Sequence, residues 1–580
     1  MVICDPQIGA ENSEQLLISA IKNVNSRADI DLLVILGNLT HSGSYDEFLI
    51  LELILSNQKI PFRIIGGPND ILLSETRSEE IMQIWPDAQN TIHSSSSDKI
   101  FLQTIPYWNS NKAHISVEKL NQYSSSNSGN ENIFIFTYNS FWNDVDNSYK
   151  LSNIFERKNF INFISVETRR RDDEMNSSEI KLSLLNENNK WCYNLLKESN
   201  ETLGIYKISE KRRQSELKKS IPISEFTGTE IIDSLQMITY LPEIKINKLT
   251  DNQFTSFTPI LYSNKRIFIA SKNGRIICLN DSGEKIWEYS SGGLIFNSIL
   301  KDRDLIIAIT QEGDIHTVNV NNGDPFQIIG IGDYISSDIN LIDIEYNDMK
   351  TKGIVFGSSS GNIYCYELYS LEMVWSNYIS ENSITSKSLA LDDKIIFQDS
   401  KGDYYCVNLN NGLLIWRCEA KSKSENKLFR SDYSADKNSV YFSDSDGNIS
   451  SVDILLGTKN WIKKGVKSSG SMFLSKLRSS LFVHSMKNRI LEIEPIKGKI
   501  ISEIELPDEF SNNLTSAWLE YEHGILAGFD NGSICRIDKN NKIEKIFFMG
   551  NAPIISINMI GVGDFIANNI DGTIIRFTVP

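Results

Sequence analysis

The chain has 580 residues, 41% hydrophobic and 23% charged, the proportions of a folded globular protein too long for a single core. Fifty-eight basic side chains against 74 acidic ones leave a net charge of −16, which argues against a nucleic-acid backbone as main partner. No apolar stretch reaches the roughly 18 residues needed to cross a bilayer.

The opening "MVICDPQIGAENSEQ" runs from an apolar strand straight into Asp5-Pro6-Gln7. No charged n-region or apolar h-region precedes that strand, so no signal peptide is visible. A domain that begins on its innermost strand favours an export segment missing from the sequence.

Along residues 1–205, apolar runs of four to six residues ("DLLVILG", "PFRIIGG", "KIFLQTI", "ENIFIFTY", "NFINFISV") alternate with helical stretches. In "SEQLLISAIKNVNSR", Leu16, Leu17, Ala20, Ile21 and Val24 recur at helical spacing, with Ser13 as the expected cap. "YDEFLILELILSN" predicts a second helix. Buried strands with intervening helices indicate a layered α/β domain over 1–205. The polar stretch "SEKRRQSELKKSIPISEFTG" reads as a linker over 206–239, its cluster Lys211-Arg212-Arg213 being a solvated segment.

From 240 to 580 the chain repeats. "RIFIASKNGRIICLNDSGEKIWEY" reads as strand, tight turn, strand, turn and strand, and seven related units follow. Their turn positions are Gly274, Gly313, Gly361, Gly402, Gly447, Asn488, Gly532 and Gly572. Glycine or asparagine there supplies the positive φ of a two-residue hairpin turn. Trp287, Trp375, Trp416 and Trp461 follow their glycines by 13 or 14 residues and read as structural packing between units. A period near 40 with three clear strands and a variable fourth predicts a β-propeller, because one blade cannot bury its faces alone. The last unit stops at Pro580 before an outer strand, and "LPEIKINKL" ahead of the first full unit can supply it. That closure gives eight blades, with seven the alternative.

Seven cysteines occur, none in a C-x-x-C pair. Cys278, Cys365 and Cys406 share one repeat position and read as small buried hydrophobes.

The repeats resemble the PQQ-like, BamB-type propeller family. Quinone binding does not follow from that likeness, since quinoprotein dehydrogenases of this type carry an adjacent cysteine pair that is absent from this sequence; PQQ is not expected. The strand ends of the first domain resemble the calcineurin-like metallophosphoesterases, and the whole chain is similar to bacterial exported proteins that join such a domain to such a propeller. The residues carrying the likeness are Asp5-Pro6-Gln7-Ile8-Gly9, Gly37-Asn38-Leu39-Thr40, Gly66-Gly67-Pro68-Asn69-Asp70 and "WNDVDNSY". The resemblance implies an αββα sandwich and a two-metal site, with ions about 3.5–4 Å apart.

Position by position, most of the implied ligands are replaced. Asp5 stands where the family has its first aspartate, but Gln7 replaces a histidine and Asn38 replaces the bridging aspartate. Pro68 takes the place of a ligand asparagine, Thr137 of a histidine, and Glu167 and Arg169 of the final histidine pair. Asn69 replaces the proton-donating histidine, and an amide does no acid–base work. Asp70 persists, although in the family it orients that missing histidine. The expectation is an inactive phosphoesterase-like domain with no metal or other cofactor. The chain then acts as a binding or scaffold protein, with a protein partner on the propeller loops. The resemblance implies the periplasm or cell surface, and the missing signal leaves the cytoplasm open. The alternative is a reduced site holding one Mn, Mg, Fe or Zn ion through Asp5, Gln7, Glu167 and His41 and hydrolysing a phosphate ester. Arg169 would favour an anion if the old cleft binds one.

Overall fold

In the computed structural model the chain divides into two compact units, Met1–Ser234 and Leu235–Pro580. Residues 1–73, 85, 91–93, 97–107, 112–125, 132–139, 145–148, 150, 159–165, 179–182, 185, 190–199, 202–210, 215–222, 238–241, 244–250, 254–419, 432–444, 446–507, 510 and 515–579 are described.

The first unit runs β1 (Val2–Cys4), α1 (Ser13–Asn25), β2 (Leu33–Gly37), α2 (Tyr45–Leu55) and β3 (Phe62–Gly66). There follow β4 (Ile92–His93), β5 (Ser97–Phe101), β6 (Ile105–Pro106), β7 (Ala113–His114), α3 (Val117–Ser125) and β8 (Asn132–Thr137). It ends with β9 (Asn159–Ser165), β10 (Glu179–Leu182), β11 (Cys192–Glu198), β12 (Thr202–Ser209) and β13 (Glu216–Pro222). Two sheets form, ordered β13-β12-β11-β1-β2-β3 and β10-β9-β8-β5-β4. β1, β2 and β3 are parallel and, apart from Arg63 in β3, apolar on both faces. Their alternate residues divide between two cores, as the two-residue period of a strand requires. Ile3, Ile35 and Ile64 meet Leu17, Ile21 and Val24 of α1 and Phe48 and Leu51 of α2. Cys4, Leu36 and Ile65 meet Phe101, Phe134, Phe136 and Phe163 of the second sheet. Beyond that sheet, Ile100, Ile133 and Ile135 pack on Leu120 and Tyr123 of α3.

Several expectations change here. The structure as a whole is mostly β, with α1, α2 and α3 the α-helices among the described residues. Ser13 does not cap α1: the N-cap is Asn12 at φ 61, and the Ser13 hydroxyl donates to the Ala10 carbonyl. The stretch expected as a linker over 206–239 holds the end of β12 and all of β13, and the division between the units, after Ser234, falls inside it.

The second unit is an eight-bladed propeller, as the repeats predict. Six four-stranded blades occupy 261–290, 300–330, 340–378, 389–418, 433–463 and 468–505. Blade 7 spans 515–548 and gains a fifth strand from Ile238–Thr239. Blade 8 spans 554–578, and Lys245–Thr250 supplies its outer strand antiparallel to Ile574–Thr578. The ring therefore closes with the strand expected from "LPEIKINKL". Thr250 Oγ1 fastens it, donating to the Gly572 carbonyl (2.8 Å) and accepting from the Ile574 N–H (3.0 Å).

The turn positions behave as expected: Gly361 sits at φ 83, with no room for a side chain beside the Ser380 carbonyl, and Asn488 holds φ 57 in its unit. Four tryptophans hook blades 1, 3, 4 and 5 to the blade that follows. Trp287, Trp375, Trp416 and Trp461 donate Nε1–H to the carbonyls of Val320, Leu409, Ile454 and Pro495, at 2.8 to 3.1 Å. Each indole also lies flush on a glycine of the same neighbouring turn: Gly323, Gly412, Gly457 or Gly498. Blade 2 carries Gln327 at the tryptophan position, opposite Thr317, and the turn it would face holds Leu371 instead of glycine. All seven cysteines are buried thiols.

Candidate functional site

The carboxyl ends of β1, β2 and β3 bring Asp5, Asn38 and Asp70 together, the edge where a parallel sheet presents ligands. Asp5 and Gln7 both adopt positive φ (50 and 46), so the chain turns sharply as it leaves β1. The Asp5 Oδ1 accepts the Asn38 N–H at 2.9 Å. Gly37, at φ 105, lets that carboxylate lie over the backbone, since a Cβ there would stand 2.5 Å from Asp5 Oδ1.

Asn38 is buried, and its Oδ1 accepts the Asn69 N–H at 3.1 Å. The Asn69 side-chain amide donates to the His41 carbonyl at 2.9 Å. Asp70 is wholly buried and receives four donors. Oδ2 takes the N–H groups of Leu39 and Gly67, both at 2.8 Å, and Oδ1 takes the Thr40 N–H (2.9 Å) and hydroxyl (2.5 Å). Burial pushes its carboxyl up to about 6, against the opposing pull of those hydrogen bonds. Asp70 thus ties the loop after β2 to the loop after β3, and needs no histidine to orient.

Thr137 belongs to a different cluster, at the end of β8. Its hydroxyl donates to the Asn139 carbonyl (2.5 Å) and lies 3.2 Å from Asn162 Oδ1, while Thr104 donates to Asn139 Oδ1 at 2.8 Å. Pro68 is half-buried in the turn and offers no donor atom. Glu167 and Arg169 lie outside the described residues, so the Arg169 anion site and the one-metal alternative have no described geometry. Of "WNDVDNSY", Val145, Asp146, Asn147 and Ser148 are described. Asp146 receives the Tyr107 hydroxyl on one oxygen and pairs with His114 Nδ1 at 2.9 Å on the other, while Asn147 brackets the Ile115 backbone. Sequence reasoning missed this buried histidine–aspartate pair, because His114 stands alone in an unremarkable segment.

The donor set at the sheet edge does not fit a pair of divalent ions. It holds two carboxylates, three amides and a proline, and both oxygens of Asp70 and the amide oxygen of Asn38 face N–H or O–H groups. Two ions need several anionic or imidazole donors with lone pairs directed at the metals. Among the described residues no group of three or more His, Cys, Asp or Glu side chains is placed to hold a metal.

The family described as outer membrane protein assembly factor BamB matches residues 247–504, wholly within the propeller. Among solved structures, BamB from Moraxella catarrhalis is 14% identical over 59% of this chain and 100% of its own, with a TM-score of 0.45. Sqt1 of Saccharomyces cerevisiae is 11% identical over 60% of this chain and 99% of its own, with a TM-score of 0.47. The computationally designed protein Ika8 is 12% identical over 56% and 96%, with a TM-score of 0.46. No curated protein matches the chain. None of these matches supports the metallophosphoesterase resemblance of residues 1–205. All the residues matched by that family, 247–504, lie in the eight-bladed propeller.

Proposed function

We propose that this protein is a non-catalytic binding protein: its propeller holds a protein partner on its loops, and its first unit is a phosphoesterase-type domain that has lost its metal site. One observation carries the reading. Three of the side chains that would have to face two metal ions take protein donors instead: Asp5 Oδ1 takes the Asn38 backbone N–H, Asn38 Oδ1 the Asn69 N–H, and Asp70 four donors of the neighbouring loops. Opening that network for a metal would leave buried N–H groups without acceptors, a loss of about 1–3 kcal/mol each. The BamB family description supports a place in the cell envelope, at the periplasmic side or the cell surface, and no helix among the described residues is long and apolar enough to cross a membrane.

The test is an assay of the purified chain with p-nitrophenyl phosphate and bis-p-nitrophenyl phosphate, with Mn²⁺, Mg²⁺, Zn²⁺ or Fe²⁺ supplied. The reading expects no turnover above that of the Asp5→Ala variant. Turnover that Asp5→Ala abolishes would restore the chain to the enzymes and favour the one-metal alternative.

A further inference from the structure

The chain is acidic, yet residues 459–499 carry ten lysines and arginines against two glutamates, Glu492 and Glu494. The fold gathers four of these lysines on one face of the propeller, where blade 5 hands over to blade 6. Lys463 ends the outer strand of blade 5, and Lys464 and Lys467 lie in the connector to the inner strand of blade 6. Lys487 sits in the turn between the second and third strands of blade 6.

Backbone contacts fix this arrangement. The Met486 N–H donates to the Lys467 carbonyl at 2.9 Å, and Lys487 Nζ reaches the Gly465 carbonyl at 3.4 Å. The Ser468 N–H donates to Gly447, whose Cα leaves no room for a side chain against Lys467. Lys464, Lys467 and Lys487 are exposed and Lys463 is half-buried; none of the four makes an ion pair among the described residues. Arg489 beside them is already paired with Glu503. Of the nearby acids, Asp444 is bound by the amides of its own turn, which leaves Asp446 and Glu505, the latter across from Arg489, as exposed carboxylates. Met486, 50% exposed, adds an apolar contact between Lys467 and Lys487. Of the corresponding connectors, those at 291–294, 331–334, 380–383 and 549–553 contain no lysine, and two of them contain Asp333 and Glu381; the sequence at 419–431 includes Lys421, Lys423 and Lys427, and that at 506–514 includes Asp508 and Glu509.

We propose that this lysine face is a docking site for an acidic polypeptide segment carrying an apolar residue. Charge complementarity selects the partner: four unpaired cations converge on a protein whose remaining surface is negative. With a Debye length of about 8 Å at physiological salt, a short acidic segment senses the patch and little of the surrounding charge. A nucleic acid or a bilayer would extend its negative charge over the acidic remainder of the surface. The inference deepens the binding role proposed for the propeller, and its readout involves neither metal nor turnover, so the two fail separately.

The experiment is fluorescence anisotropy of the full chain with a labelled peptide of alternating glutamate and leucine, about 12 residues long. Binding is expected at about 50 mM NaCl, weakened about tenfold at about 300 mM. It is also expected to fall at least about tenfold in the variant Lys463→Glu, Lys464→Glu, Lys467→Glu, Lys487→Glu. A control reverses Lys265 and Lys539, on turns of the opposite face, and Lys301 and Lys350, in strands next to such turns, and is expected to bind as the parent does. Absence of binding at low salt, equal binding by the patch variant, or equal loss in the control would overturn the proposal. So would tighter binding of a single-stranded oligonucleotide or of phosphatidylglycerol vesicles than of the peptide.

Discussion

Gly457→Ala probes the hooks between blades. At φ 68 an alanine bears a left-handed penalty of about 1 kcal/mol. Its Cβ falls 2.6 Å from Trp416 Cγ, so the indole or the turn has to move, which adds about 1–3 kcal/mol. Gly292→Ala supplies the comparison: its φ is 83, nothing lies within 4 Å of the added Cβ, and it bears only the conformational penalty. Trp416→Ala removes a buried indole and its 2.8 Å bond to the Ile454 carbonyl, a loss of about 3–5 kcal/mol. In the double variant the new methyl enters space the indole has left. The cycle should therefore show a favourable coupling of about 1–3 kcal/mol between the two changes. Guanidinium unfolding of the full chain, followed by hydrogen-exchange mass spectrometry on peptides of blades 4 and 5, reads these differences locally. If Gly457→Ala costs no more than Gly292→Ala, or if the double variant is additive, the indole does not bear on the turn and the reasoning fails.

Three further outcomes are expected. Asp70 keeps its proton to about pH 6 in the folded unit but only to 3.8 when unfolded, so the native state binds more protons in that window. The first unit should therefore lose stability as pH rises from about 4 to about 6, by up to about 3 kcal/mol. Asp70→Asn should abolish that slope, and a slope that survives the substitution contradicts the assignment. His484 titrates in the opposite sense: burial lowers it from 6.5 to about 4, and its Nδ1 accepts the Thr515 N–H at 2.9 Å. The propeller should lose up to about 3 kcal/mol as pH falls through that interval, and unfolding of His484→Gln should be flatter there. Thr250→Val leaves the Gly572 carbonyl and the Ile574 N–H without their shared partner, a loss of about 1–3 kcal/mol. Faster amide exchange confined to 574–578 would show it, and unchanged exchange would mean that the closing strand does not depend on this hydroxyl.

How much of this was legible depended on which physical signal each element carries. The blades were readable because every hairpin needs a residue tolerant of positive φ, and glycine recurs at that point with a period near 40. The closing strand of blade 8 was readable from the missing outer strand at Pro580. β13 was not: as an exposed edge strand with the sequence ELKKSIP, it has the charge that protects sheet edges and none of the alternation that marks a half-buried strand. The fifth strand of blade 7 is two residues long, too short for any pattern. The glycines beneath the tryptophans were hidden for another reason, since each belongs to the next repeat and the pairing appears only once blades are stacked. At the sheet edge, the residue types already told against metal ligation. What they could not tell was that Asp70, which looked like a leftover, pins two loops together through four hydrogen bonds.

The most direct measurement is equilibrium dialysis of the purified chain against Mn²⁺, with bound metal counted by inductively coupled plasma mass spectrometry. A closed hydrogen-bonded edge predicts no saturable binding and identical counts for the parent and Asp5→Ala. One or two equivalents of manganese, lost in Asp5→Ala, would show that the edge still cages metal and that the binding-protein account is wrong.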